Sequence, residues 1–111
     1  MRRNLDLCRQ ILFKIAQCKT EELSSNQLGI TDFTPEEIQY NCKQLENGNL
    51  IERYEEDILG NYYLGALTED GNNLLDQIEN DTTWNKVKSV LKEKALPFTL
   101  KTILEILKIK I

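Results

Sequence analysis

The side chains that carry most enzyme chemistry are scarce in this 111-residue sequence, and those present sit where water is the expected neighbour. There is no histidine, so an imidazole base and a histidine-containing triad are both excluded. No G-x-S-x-G elbow and no G-x-x-x-x-G-K-[S/T] phosphate loop occurs. Adjacent carboxylates stand at Glu21-Glu22, Glu36-Glu37 and Glu55-Glu56-Asp57. In a closed site such pairs act as general acid and base. Here each falls at a helix start or a loop tip, where a solvated face is the default. The three cysteines, Cys8, Cys18 and Cys42, are odd in number and form no C-x-x-C pair, which argues against both a disulfide framework and a zinc site. Cys8 and Cys42 lie on apolar helix faces and read as small packed hydrophobes. The expectation is a non-enzyme with no cofactor and no metal.

Helical periodicity and capping signals dominate the chain. Leu5, Cys8, Ile11, Leu12, Ile15 and Cys18 recur at helical spacing and predict a first helix over about 5–18, with Asn4 as its N-cap and Asp6 at its positive end. Residues 19–33 are the least regular part. Thr20–Leu23 suggests a helical turn, and Leu28–Thr31 a short strand, so a second helix here is expected to be shortened or missing. The next helix, over 34–47, is fully punctuated. Thr34 and Glu37 form a capping box, Pro35 takes the first helical position, and Phe33 and Ile38 occupy the places of a hydrophobic staple. Ile38, Cys42 and Leu45 line its inner face. Gly48 is expected to supply the left-handed stop, with Asn49 after it also tolerant of that geometry.

A β-hairpin is expected to join 50–54 to 62–67, with its tip between Glu55 and Asn61 and Gly60-Asn61 as the turn signal. Thr68 then caps a helix carrying Leu74, Leu75 and Ile78. Asn80–Thr83 marks a break, and Asp81 is expected to cap a helix with Trp84, Val87 and Leu91. The last helix starts at Thr99, with Phe98 and Ile103 placed for a second staple. Leu100, Ile103, Leu104, Leu107 and Ile111 form its stripe. Ile106 and Ile109 lie off that stripe and are the candidate dimer residues. No run is long and apolar enough for a membrane span, and the opening residues are not a signal peptide, so the chain is read as cytoplasmic. The whole is read as one domain.

Two stretches carry a resemblance: Arg3–Leu12, and Leu67-Thr68-Glu69-Asp70-Gly71 through Leu74–Ile78 into Asp81–Lys88. They resemble a family of small, uncharacterised winged-helix proteins from bacteria and their phages. More distantly, the capped helix, hairpin and L-T-x-x-G entry are similar to MarR-type transcriptional regulators. The resemblance implies a mostly α winged helix made of a helix, a short strand, a capped helix, a β-hairpin wing and C-terminal helices. It implies no activity.

Charge weighs on the function of such a fold. Residues 1–19 carry a net +4 and residues 85–111 a net +5, whereas residues 20–84 carry −13, with only Lys43 and Arg53 as cations. The capped helix and the wing, which would meet phosphates in a DNA-binding winged helix, belong to the acidic block. The face opposite Ile38, Cys42 and Leu45 shows Glu36, Tyr40, Lys43, Gln44 and Asn47. Lys43, Gln44 and Asn47 suit base edges, but Glu36 and the wing's Glu55, Glu56 and Asp57 would repel phosphate. These eight residues form the candidate interaction face. The sequence therefore favours a protein partner, or a second copy, over DNA. The alternative is a sequence-specific double-stranded DNA regulator. What separates the two is the sign of the potential over residues 34–47.

Overall fold

The computed structural model describes residues 2–110, with side chains through Lys108. Helix α1 spans Leu5–Gln17 and is followed by strand β1, Glu22–Ser24, and a single 3₁₀ turn at Ser25–Gln27. Then come α2 (Pro35–Asn47), β2 (Tyr54–Glu56), β3 (Tyr62–Gly65), α3 (Glu69–Ile78), α4 (Asp81–Lys94) and α5 (Leu100–Lys110). The protein is mostly helical, with one three-stranded antiparallel sheet in the order β1-β3-β2. Leu23 faces Leu64 across β1 and β3, and Tyr54 faces the same Leu64 from β2. The hairpin register continues below β2 and β3 as a lone bridge between Ile51 and Leu67.

One core runs through all the helices. Leu7, Cys8, Ile11 and Leu12 of α1 are inaccessible to solvent, as are Cys42 and Leu45 of α2, Leu74 and Ile78 of α3, Val87 of α4 and Ile103 of α5. Among the described residues, one polar side chain is buried with them. Asn41 accepts from the Asn4 backbone N–H (2.8 Å) and the Cys8 thiol (3.4 Å) on α1, and donates to the Glu37 carbonyl (2.8 Å). It therefore pins α1 to α2 with its polar atoms satisfied.

The local signals act as written at most helix starts. Asn4 Oδ1 accepts from Leu7 N–H, the Thr34–Glu37 box closes in both directions, and Thr68 Oγ1 accepts from Gly71 N–H. Four details differ from the sequence reading. Gly48 is not left-handed (φ −82°); Asn49 is, at φ 60°. Leu50 N–H reaches back to the Leu45 carbonyl and Asn49 N–H to that of Glu46, so the helix ends at Asn47 as expected but its left-handed residue falls one position later, at Asn49. Asn80, not Asp81, caps α4 through Thr83 N–H, and Asp81 instead pairs with Arg9 (2.9 Å). The first strand lies at 22–24, not 28–31. Gly29 at φ 69° breaks the extended run, so that Leu28 and Ile30 are buried without strand pairing. Where a second helix was expected shortened or missing, the chain makes a single 3₁₀ turn, whose Ser25 Oγ accepts from Tyr62 N–H. The wing tip is also narrower than expected, because Glu55 and Glu56 are strand residues of β2.

The last helix turns a different face inward. Ile106 is buried (4% exposed) beside Ile103, and Leu104, assigned to the inner stripe, is exposed (41%). Packing against both α3 and α4 asks for a broad apolar arc, and that arc takes in Leu100, Ile103, Ile106 and Leu107 and leaves Leu104 outside. Ile106 therefore belongs to the monomer core and offers no surface for a dimer. Ile111 and the Ile109 side chain lie outside the described residues.

At the entry to α3 the chain comes unusually close to itself. A Cβ on Gly71 would collide with the Leu50 carbonyl oxygen. Thr68 holds this crossing: its N–H donates to the Leu50 carbonyl (3.1 Å) and its hydroxyl to that of Asn49 (2.7 Å). The exit of α2 and the entry of α3 are thus locked together around the base of the hairpin.

Candidate functional site

The eight candidate residues do not make one surface; the fold divides them. Lys43 and Glu56 meet: α2 sets Lys43 Nζ 3.2 Å from Glu56 Oε2, and the Tyr54 hydroxyl donates to the same oxygen at 2.6 Å. The hydrogen bond from Tyr54 and the one from Lys43 hold the Glu56 carboxyl below its ordinary range. Burial and the neighbouring carboxylate push the Tyr54 phenol up. Glu46, which the sequence reading passed over, accepts from Tyr54 N–H (3.0 Å) and fixes β2 to the side of α2.

Gln44 and Asn47 turn elsewhere. They line a groove of about 230 Å³ with Arg3, Gly48, Pro97, Phe98 and Thr99, at the α4–α5 connection. Glu36 stays exposed at the start of α2 and Tyr40 is half-buried on it.

Arg53, the other cation of the acidic block, is also engaged. Its guanidinium reaches Glu22 on β1 (2.9 Å) and Glu55 on β2 (3.2 Å). These are exposed pairs that contribute little stability, but they neutralise the positive groups that a phosphate would need. The remaining carboxylates of α2 and the sheet set the sign of the surface.

Asp57 organises the tip of the β2–β3 hairpin. Its Oδ1 accepts from Leu59 N–H and Asn61 N–H, both at 2.9 Å, and its Oδ2 from the Tyr63 hydroxyl at 3.0 Å. Desolvation raises this carboxyl, but the hydrogen bonds from Asn61, Tyr63 and Leu59 outweigh it, and its pKa is lowered. The loop, closed at Gly60 with φ 89°, holds up Ile58 and Leu59. They are 101% and 81% exposed. Sequence reasoning missed this pair. Its signal was two apolar residues placed directly after a charge run, inside a turn, where nothing can bury them. Beside the tip, Leu28, Phe33, Ile38 and Tyr62, with Ser25 and Gln39, line a groove of about 270 Å³ of mixed polarity.

The two basic end segments also meet in space, although α5 packs chiefly on α3 of the acidic block. Asp6 of α1 takes hydrogen bonds from Lys88 and the Trp84 indole of α4, and Arg3 donates to the Leu96 carbonyl beyond α4. These links bring the two basic segments together, whereas the sheet packs on α2. The thiols offer no nucleophile in the core: burial pushes Cys8 and Cys42 up to about 12. Among the described residues, no group of three or more Cys, Asp or Glu side chains is placed to hold a metal ion. No described helix is long and apolar enough to cross a membrane.

Comparison with known proteins places the chain. Residues 2–97 match the family described as "Hypothetical protein (DUF2513)". The chain belongs to the DUF2513 family. It is also 38% identical over 108 residues to an uncharacterised protein of Haemophilus influenzae, covering 96% of this chain and 92% of that protein. No solved structure matches it. The match to the DUF2513 family takes in α1 to α4 and the whole sheet, and ends at the connection before α5.

Proposed function

We propose that this chain is a cytoplasmic, non-enzymatic winged-helix module with a regulatory role, engaging a protein partner through α2 and the wing. The succession of α1, β1, one helical turn, α2 and a β-hairpin supports the winged-helix reading, with the second helix of that fold shrunk to the turn at Ser25–Gln27. The observation that carries the functional reading is the pairing of both cations of the acidic block. Lys43 is held by Glu56, and Arg53 by Glu22 and Glu55. A duplex approaching α2 and β2 would meet carboxylates, gain no counterion release from these cations without breaking their pairs, and be repelled. A protein surface with an apolar hollow for Ile58 and Leu59, and basic groups around it, fits the same features.

The deciding experiment is a fluorescence titration of the full chain with labelled genomic duplex fragments near physiological salt. The expected result is no sequence-specific complex tighter than micromolar. A nanomolar complex with a defined sequence, lost in Lys43→Ala or Gln44→Ala, overturns the proposal and makes the chain a DNA regulator.

A further inference from the structure

Four basic side chains among the described residues are held by carboxylates. Arg9 meets Asp81, Lys43 meets Glu56, Arg53 meets Glu22 and Glu55, and Lys88 meets Asp6. Arg3 is half-buried and is held differently. Its guanidinium donates to the Leu96 carbonyl at 2.8 Å. A neutral carbonyl fixes the side chain but leaves its full positive charge in place, with further N–H donors on the same fork. Arg3 shares the groove of about 230 Å³ with Gln44 and Asn47 of α2, each of which offers an amide NH₂ to whatever enters. Among the described residues no aspartate or glutamate lines this groove, in a chain with 18 acidic side chains against 14 basic ones. Pro97 and Phe98 supply its apolar surface. Gly48 lets the α4–α5 connection lie close to the end of α2: a Cβ there would stand 3.4 Å from the Phe98 carbonyl oxygen.

We propose that this groove binds a small organic anion, with its carboxylate or phosphate on Arg3 and its apolar body against Pro97 and Phe98. A planar guanidinium matches either oxyanion through paired N–H donors, and such charge-assisted bonds are stronger than neutral ones. The Leu96 carbonyl holds the guanidinium in place before any ligand arrives, so less side-chain freedom is lost on binding. Gln44 and Asn47 add neutral donors that fix orientation without adding charge. The groove is smaller than the usual pocket for a drug-sized ligand, about 300–1,000 Å³, which limits the occupant to a compact molecule. The site is independent of the reading of α2 and the hairpin as a protein-binding surface, since the Lys43–Glu56 pair and the hairpin tip take no part in it.

The chain's one tryptophan reports on this groove. Trp84 packs edge-on against Phe98, with ring centroids 6.1 Å apart. The test is a titration of the full chain with phenyl phosphate, benzoate and inorganic phosphate, at constant ionic strength set with chloride. It follows Trp84 fluorescence and the amide NMR signals. The expected result is a saturable change with phenyl phosphate or benzoate, with shifts centred on the side-chain amides of Gln44 and Asn47 and on residues 97–99, and none with chloride. Saturation by phenyl phosphate alone makes the ligand a phosphate, and by benzoate alone a carboxylate; either supports the site. Arg3→Gln should weaken binding about tenfold or more, and Gln44→Ala about threefold. Gln44→Ala leaves the Arg3–Leu96 contact intact and should keep the wild-type melting temperature, so it carries the test if Arg3→Gln fails to fold. Three results overturn the proposal: no saturable change with either organic anion up to millimolar concentration, shifts that lie away from the groove, or binding unaltered in Arg3→Gln and Gln44→Ala. Inorganic phosphate binding as tightly as phenyl phosphate overturns the role given to Pro97 and Phe98.

Discussion

At the scale of single residues, the most constrained position is Gly71. A helix N-terminus ordinarily accepts alanine, which has the better helical propensity. Here the methyl would enter the space of the Leu50 carbonyl oxygen, a backbone atom that cannot swing aside. Moving it would break the bonds through which Thr68 ties Asn49 and Leu50 to α3. Gly71→Ala is therefore expected to destabilise the fold by about 2 kcal/mol or more, read as a fall in the urea midpoint. A neutral or stabilising effect would show that this crossing is not tight. Thr68 and Gly71 were both legible in the sequence as a helix start. The reason for glycine was not, because it depends on a chain segment some twenty positions earlier.

At the scale of elements, the β2–β3 hairpin and the last helix behave differently. The hairpin tip is held by one carboxylate. Asp57 has a lowered pKa in the folded state, so the folded chain binds fewer protons than the unfolded chain around and below the ordinary aspartate value. Its contribution is present above that value and is lost as pH falls through the folded pKa. Protection of the Leu59 and Asn61 amides, measured against their intrinsic exchange rate at each pH, should fall on acidification below about pH 4, the ordinary aspartate range, while core helices stay protected. Asp57→Ala should show the fast exchange already at neutral pH. Equal protection of the tip in both proteins would contradict this. On α5, Ile106 packs inside. Ile106→Glu places a carboxylate in the core without a partner and should cost about 3 kcal/mol or more, seen as a lowered melting temperature. A variant that keeps its wild-type melt would return Ile106 to the surface.

At the scale of the whole molecule, uneven charge along the chain is the organising property. The net charge of −4 hides two basic end segments and an acidic middle. Any weak duplex binding at low salt should come from the cations of the two end segments, not from α2. It should show no sequence preference and disappear as salt rises. Lys92→Ala with Lys94→Ala should reduce it, and Lys43→Ala should leave it unchanged. Binding that depends on Lys43 would place the nucleic-acid surface on α2 instead.

The sequence by itself determined the elements with strong local signals. The Thr34–Glu37 box, the Asn4 and Thr68 caps and the 3.6-residue apolar stripes act within one or two turns, so they specify the same structure wherever the helix is placed. The charge blocks were equally legible, since net charge needs no coordinates. Only the tertiary structure decided which face of α5 is buried, because several rotations of a helix apolar on more than one side look alike until α3 and α4 are set beside it. It also decided how the candidate residues divide. Lys43 is neutralised by Glu56 from a strand thirteen positions later, Gln44 and Asn47 open toward Arg3, and Asp57 closes a turn that leaves Ile58 and Leu59 in water. Each of these depends on distances between segments far apart in the chain, and periodicity carries no information about such distances.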